Sequence, residues 1–118
     1  KKNVIILENG KNVCPEEIET EVANGIEYAR ECVAYMDQIG NDKLKQGICL
    51  GLYIEDPELR KNTEKIRQDF RELNKSLPTY KQISYINLGE TEFEKTGSKK
   101  IKRDTIAKTH NPTSGIVL

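Results

Sequence analysis

With 118 residues, the chain is long enough for one domain and too short for two. Charged residues make up 32%, apolar residues 36%, and the formal net charge is zero, which argues against bulk electrostatic attraction to nucleic acid or to an anionic membrane. No apolar stretch approaches the roughly 20 residues that a membrane-spanning helix needs, although the sequence leaves a peripheral membrane contact open.

The first part of the chain predicts a β-hairpin followed by a helix. The β-branched run at 4–7 leads into the turn dipeptide Asn9-Gly10, so residues 4–14 are interpreted as a hairpin. Pro15 suits the first position of a helix, and acidic side chains stabilise its positive end. We interpret those acids as helix-terminus residues and not as catalysts; they are Glu16, Glu17 and Glu19.

The middle of the chain alternates strands with one long helix. Residues 32–36 and 83–88 are predicted strands, and the apolar run 47–54 predicts a central strand covered on both faces. Gly51 within that run indicates close packing by a neighbour. From Asp56, apolar residues recur at helical spacing as far as Leu77, which predicts one amphipathic helix of about 20 residues.

The C-terminal quarter gives weaker signals. Residues 91–93 are a candidate strand and 101–108 a candidate short helix, whereas 109–118 lack periodicity and predict a loosely ordered tail. The whole order predicts an α+β fold: a small domain with a β-hairpin, a central sheet of about three strands and flanking helices.

The three cysteines do not form a recognisable framework. Cys14, Cys32 and Cys49 are odd in number and widely spaced, unlike a disulfide scaffold or a paired zinc motif. We interpret them as small, semi-buried apolar residues in a reducing cytoplasm. A metal site that combines them with the single histidine, His110, is disfavoured.

A basic segment lies near the C-terminus, and by itself it permits three interpretations. Its basic residues are Lys95, Lys99, Lys100, Lys102 and Arg103. They suit a solvated surface, a nucleic-acid patch, or a loop that binds a phosphate or carboxylate through lysine charges and the backbone around Gly97. The lack of interleaved aromatic residues and the neutral net charge argue against nucleic acid.

Two segments together resemble the signature segments of the C-terminal domain of AMP-forming acyl-CoA synthetases, the adenylate-forming superfamily. The first is Asn3–Glu19, with Asn9-Gly10 in its turn and Pro-Glu-Glu-Ile-Glu at its end. The second reads Lys-Thr-Gly-Ser-Lys-Lys-Ile-Lys-Arg over residues 95–103. The resemblance covers residues 2–106, and the Lys-Lys-Ile-Lys-Arg ending is similar to the long-chain fatty acid-CoA ligase branch.

The resemblance implies roles for single residues. Lys100 takes the position of the catalytic lysine of adenylation, with the adjacent Lys99 as the alternative register. Asn9, Gly10 and Lys11 take the position of the loop that faces CoA during thioester formation. Lys2 takes the hinge position, and no metal ligand is implied in this chain.

The same resemblance implies a domain organisation. Residues 1–108 would be the mobile C-terminal (lid) domain, 109–118 a tail, and the N-terminal ATP- and acyl-binding domain would lie outside this sequence. The complete cytoplasmic enzyme would join a fatty acid to CoA with ATP and Mg²⁺, and the isolated 118 residues would be inactive.

Two alternatives stay open at this point. One is an adenylating enzyme that loads the phosphopantetheine of an acyl carrier protein instead of CoA. The other, from a different class, is a non-catalytic module whose basic segment binds an anion or RNA.

Overall fold

The computed structural model describes residues 5–6, 12–29, 31–89, 106, 110–111 and 113–118. Its helices are α1 (Pro15–Gly25), α2 (Pro57–Lys61) and α3 (Thr63–Lys75), with a 3-10 turn at Thr79–Lys81 before the fifth strand, and Ile106 is also helical. Its strands are β1 (Ile5–Ile6), β2 (Asn12–Val13), β3 (Glu31–Gln38), β4 (Gln46–Tyr53), β5 (Tyr85–Gly89) and β6 (Ile116–Val117). The predicted α+β fold is confirmed.

The hairpin and the first helix form where they were predicted. β1 pairs with β2 in antiparallel register, with Ile5 opposite Val13. α1 has Pro15 in its first turn together with two glutamates, and it ends at Gly25. Ile18, one of the apolar residues that share a face of α1, is fully buried, so the helix packs through the stripe that the sequence shows.

The main sheet has the order β3-β4-β5-β6. β4 is antiparallel to β3 and parallel to β5, which makes it the central strand that its apolar sequence predicted. β3 is an edge strand, and the Ala34 N–H on its outer side donates to the Glu19 carboxylate at 2.7 Å. Glu19 therefore does more than favour a helix start, because it satisfies an edge-strand group that could otherwise pair with another chain.

The predicted long helix is wrong in one respect, because it is two helices. α2 ends at Lys61 and α3 begins at Thr63, with Asn62 between them at φ −87° and ψ 74°. The Asn62 side chain accepts a hydrogen bond from the Lys65 N–H at 3.3 Å. Asparagine is a strong N-cap residue, and this local bond competes with a continuous helix.

The predicted loose tail is also wrong for the residues described there. Ile116–Val117 form β6, antiparallel to β5, with Ile116 opposite Ile86. Ile116 is only 4% exposed. The strand adds a fourth member to the sheet, because β-branched residues suit a strand and Ile116 buries its side chain beside β5, whereas Val117 faces outward.

The two faces of the sheet carry different cores. One face, called the first face here, packs against α1 and α3; its buried side chains include Ile18, Val22, Ala34, Leu50, Leu52, Ile66, Phe70 and Ile86. The opposite, second face carries a smaller cluster of Val33, Tyr35, Ile39, Cys49, Tyr85 and Ile106. Residues C-terminal to the basic segment therefore cover the second face.

A polar contact joins the end of α1 to α3 on the first-face side. The Tyr28 hydroxyl donates to Asp69 at 2.8 Å, and Lys65 Nζ lies 3.0 Å from the same carboxylate oxygen. Burial opposes ionisation of Asp69, but the hydrogen bonds from Tyr28 and Lys65 and the lysine charge outweigh it and lower the pKa of this carboxyl.

Replacing Asp69→Asn is expected to lower the free energy of unfolding at pH 7 by about 1 kcal/mol, the value discounted for partial exposure. Since the folded-state pKa of Asp69 lies below the unfolded value, its contribution is present above the unfolded pKa and disappears as the pH falls through the folded one. Urea unfolding at several pH values measures this. Asp42→Asn, an exposed turn carboxylate that accepts from the Leu44 N–H, is the control; equal pH dependence in both variants would contradict the prediction.

Candidate functional site

The site residues that the sequence predicted lie outside the described part of the chain. This holds for the catalytic candidate Lys100 and its neighbour Lys99, for Asn9, Gly10 and Lys11, and for the hinge candidate Lys2. Their roles stay predictions. The described residues do include β2 and α1, which follow the hairpin turn, and Gly89 and Ile106, the nearest described residues on either side of the basic segment.

The hairpin joins the domain near the start of β5. Val13 in β2 is fully buried, and the Cys14 carbonyl accepts the Glu17 N–H at 3.1 Å. Glu17 in turn pairs with Lys81 at 2.8 Å. Lys81 ends the 3-10 turn that leads into β5. The base of the hairpin therefore lies near the start of β5.

The basic segment departs from the other end of β5. This strand ends at Gly89, which lies opposite Tyr53, the last residue of β4. Since the two strands are parallel, both finish on the same edge of the sheet. β5 has five residues, so its two ends are separated by roughly 13 Å. The base of the hairpin and the last described residue before the basic segment therefore lie near opposite ends of β5.

The chain returns from the basic segment to the second face at Ile106. This side chain is 6% exposed and packs among Val33, Tyr35 and Cys49. Gly51 leaves the space for it: a Cβ at that position would lie 2.7 Å from Ile106 Cγ2. The prediction of close packing at Gly51 is confirmed. Ile106, the one described residue of the predicted helix 101–108, is helical.

A hydrogen-bonded cluster follows directly, and we call Tyr35, Asn87 and His110 the tyrosine–histidine cluster. His110 Nδ1 lies 2.8 Å from the Tyr35 hydroxyl, and its Nε2 lies 2.7 Å from the Gln38 carbonyl oxygen. The Asn87 side-chain amide donates to the Tyr35 hydroxyl at 3.5 Å. These contacts join β3, β5 and the C-terminal segment across the second face.

Tyr85 holds the next part of the same segment. It is fully buried, its hydroxyl donates to the Asn111 carbonyl at 2.7 Å, and it accepts the Gly115 N–H. The His110 ring stands edge-on to both tyrosine rings, with centroids 5.4 Å from Tyr35 and 5.7 Å from Tyr85. Three consecutive contacts, at Ile106, His110 and Asn111, thus seat the chain on the sheet.

The Tyr35 hydroxyl and the Cys49 thiol lie beneath this segment, and their burial keeps them in the neutral form. Burial, and then the nearby Cys49, raise the pKa of Tyr35. Burial likewise raises the pKa of the Cys49 thiol to about 12. A thiol in that state is a poor nucleophile near neutral pH. These groups can donate and accept hydrogen bonds, and they are not suited to acid–base or nucleophilic chemistry.

The cysteines agree with their sequence interpretation as apolar residues. Cys14 and Cys32 are half-buried, Cys49 is buried, and none of the three forms a disulfide. Within the described ranges, no group of three or more His, Cys, Asp or Glu side chains is arranged to hold a metal ion. In that same part of the chain, no helix is both long enough and apolar enough to cross a membrane.

Sequence reasoning missed the tyrosine–histidine cluster. His110 stands in a stretch without periodicity, and it reaches Tyr35 across 75 positions of sequence. One signal could have helped: the chain ends in an apolar run, Gly115-Ile116-Val117-Leu118, which is compatible with a short strand. A strand there brings the residues just before it onto the sheet.

One protein-family model and several solved structures are similar to this chain. A family model described as the AMP-binding enzyme C-terminal domain matches residues 2–113. No curated protein matches the chain. Among solved structures, the anthranilate CoA ligase AuaEII in complex with anthranoyl-AMP has a TM-score of 0.72 at 22% identity, over 89% of this chain and 19% of that one.

Two further solved structures have the same fold. An acyl-CoA synthetase (AMP-forming)/AMP-acid ligase II-like protein from Dyadobacter fermentans has a TM-score of 0.65 at 19% identity, over 91% of this chain and 29% of that one. A double mutant of o-succinylbenzoate CoA synthetase (MenE) from Bacillus subtilis, bound with the product analogue OSB-NCoA, has 0.64 at 17%, over 92% and 20%. The chain therefore spans less than a third of the length of each of these proteins.

Proposed function

The chain belongs to the AMP-binding enzyme C-terminal domain family, and we propose that it serves as the mobile C-terminal domain of an AMP-forming acyl-CoA synthetase. The observation that carries this proposal is the family match over residues 2–113, nearly the whole chain. The partner would be an adenylation domain N-terminal to it, which holds most of the ATP, Mg²⁺ and acyl sites. Residues 1–108 would form the mobile unit, with Lys2 at its hinge.

The attachment of the two signature segments supports a domain that works in two orientations. The base of the hairpin lies near Lys81, before β5, and Gly89, the last described residue before the basic segment, ends β5. Segments that extend from opposite ends of a strand would reach one active site in turn if the domain rotates, which fits two successive half-reactions.

In the first half-reaction, Lys100 would serve adenylation. A substrate carboxylate oxygen attacks the α-phosphorus of ATP, a new P–O bond forms, and pyrophosphate leaves. Negative charge builds up on the phosphoryl oxygens, and an ammonium group that reaches both reactants orients the carboxylate and stabilises this charge. Lys99 is the neighbouring candidate for the same role.

In the second half-reaction, the hairpin would face CoA. The CoA sulfur attacks the acyl carbon of the adenylate, a thioester forms, and AMP leaves with the C–O bond electrons. Gly10 would allow the backbone to approach the pantetheine arm closely. Asn9 would line the same path, and Lys11 would meet a CoA phosphate.

We further propose a long-chain fatty acid as the substrate. The support is the Lys-Lys-Ile-Lys-Arg ending of the basic segment, residues 99–103. The solved structures of similar fold are named for other acids, o-succinylbenzoate and anthranilate. The proposal is thus a choice between a fatty acyl chain and an aromatic acid, and it can be tested directly.

The test compares acids and acceptors in the complete enzyme. We expect hexadecanoate, ATP and Mg²⁺ with CoA to yield AMP, pyrophosphate and the acyl thioester, at a higher kcat/KM than anthranilate does. We expect the 118-residue chain alone to yield none of these. Thioester formation by the isolated chain would contradict the domain role. Transfer to an acyl carrier protein but not to CoA would replace CoA as the acceptor.

A further inference from the structure

We propose that Tyr35 is a positioning residue for adenylation, acting through His110 to hold the segment that follows the basic loop on the second face of the sheet. This inference rests on the proposed function, because it assigns the held segment to the half-reaction in which Lys100 acts. Tyr35 and His110 both lie outside the two signature segments. Tyr35 is on β3, about 65 positions before Lys100 in the sequence.

The hydrogen bonds at His110 fix one arrangement of protons. The Gln38 carbonyl can only accept, so His110 Nε2, 2.7 Å away, must carry the hydrogen. In the neutral ring Nδ1 is then an acceptor, and the Tyr35 hydroxyl, 2.8 Å away, donates to it. The oxygen of Tyr35 remains free to accept from the Asn87 amide. All three contacts are satisfied together.

The same contacts lie close to the basic segment along the chain. Ile106 comes six residues after Lys100, and His110 comes four residues after Ile106. Ile106 is seated over Gly51, where a Cβ would lie 2.7 Å from its Cγ2. On the N-terminal side, Gly89 is paired with Tyr53 at the end of β5. Gly89 and Ile106, the nearest described residues before and after the basic segment, therefore both lie on one sheet.

Substitution of Tyr35 is the most selective way to weaken the contacts that hold this segment on the sheet. Tyr35 is 5% exposed, and Tyr35→Phe keeps the ring that packs against Ile106 while removing the hydroxyl that donates to His110 Nδ1. A partly buried acceptor that loses its donor is unfavourable, so the His110 ring would turn or take up water. A small displacement of the backbone that leads back from His110 towards Lys100 is expected to reduce a rate that depends on alignment.

Tyr28→Phe provides a matched control. It makes the same chemical change on the other face of the sheet, where the Tyr28 hydroxyl donates to Asp69 at 2.8 Å. Both variants lose one tyrosine hydrogen bond to a distant side chain. Tyr28 lies between α1 and α3, and its contacts with Asp69 and Lys65 are both to α3.

The experiment uses the complete enzyme and measures the two half-reactions separately. Adenylation is followed as acid-dependent exchange of pyrophosphate into ATP, and thioester formation as acyl-CoA made from supplied acyl-adenylate. For Tyr35→Phe we expect the kcat of adenylation to fall about tenfold with little change in KM. Thioester formation should stay within about twofold of the wild type. Tyr28→Phe should leave the rates of both half-reactions unchanged. It should lower Tm by about as much as Tyr35→Phe does.

Several results would overturn the proposal. Equal losses in both half-reactions for Tyr35→Phe would indicate a structural role only, and an unchanged adenylation rate would exclude positioning. If Tyr35→Phe does not fold, His110→Gln tests the same hydrogen bond from its other side with the same expectations. Lys100→Ala and Lys99→Ala, assayed in parallel, separate the two hypotheses. Adenylation that survives both Lys100→Ala and Lys99→Ala refutes the proposed function; adenylation that is lost in either lysine variant and intact in Tyr35→Phe refutes only the positioning role.

Discussion

Replacing Lys100 by alanine in the complete enzyme is expected to slow acyl-adenylate formation by about 10²–10³-fold. The lysine would be the group that meets the negative charge developing on the α-phosphate, and an alanine cannot replace its charge or its hydrogen bonds. Loss of one such donor typically has an effect of this size. Thioester formation from supplied acyl-adenylate should be almost unaffected, because the hairpin and not the basic segment would then face the active site.

Lys99→Ala is the matched control for this experiment. It removes an equal charge from the adjacent position and should change adenylation by less than about threefold, because in the proposed register Lys99 does not contact the reactants. If Lys99→Ala abolishes adenylation and Lys100→Ala does not, the register of the motif is shifted by one residue. If neither variant affects either half-reaction, the basic segment is a solvated surface and the catalytic assignment is wrong.

Replacing Gly115 by alanine is expected to destabilise the chain by about 3 kcal/mol, at the upper end for overpacking. A Cβ at this position would lie 2.2 Å from the Ile86 carbonyl oxygen and 2.7 Å from Tyr85 Cζ. The first of these atoms belongs to the backbone of a central sheet pair and cannot move aside. β6 would have to leave β5, and the burial of Ile116 and the Tyr85 contacts would be lost with it.

Gly25→Ala is the control for that measurement. Its added Cβ would lie 3.0 Å from Leu73 Cδ1, the end of a flexible side chain. Gly25 is the last residue of α1, where alanine has the better helix propensity, so we expect a change within about 1 kcal/mol. Urea unfolding of both variants gives the comparison. A loss at Gly115 no larger than that at Gly25 would show that the C-terminal strand contributes little to stability.

Local sequence signals were sufficient for most of the individual elements. Asn9-Gly10 with its flanking apolar residues predicted the hairpin, and Pro15 with its acidic neighbours predicted the start of α1. The continuous apolar run at 47–54 predicted a central strand, and Gly51 predicted the close approach that Ile106 makes. Each of these signals acts within a few residues, so no knowledge of the distant chain was needed.

The sequence predictions were wrong where two local preferences compete. They were also wrong where a residue's secondary structure depends on a partner far away in the sequence. Apolar periodicity across Asn62 favoured one helix, but the capping bond from its side chain to the Lys65 N–H divides it. Residues 109–118 show little pattern of their own. Ile116 becomes a strand residue because it pairs with Ile86 along the edge of β5. These two residues lie too far apart in the sequence for a local window to contain both.

The family was accessible from the sequence by itself, because it is carried by two contiguous segments whose residue types and order can be read directly. The candidate roles of Lys2, Asn9, Gly10, Lys11 and Lys100 come from the same source. Only the tertiary structure decided which residues hold the described C-terminal segment on the sheet. Tyr35 and His110 meet across 75 positions because β3, β5 and the C-terminal segment share one face of the sheet. A hydrogen bond of that kind depends on the folding of the chain between its partners.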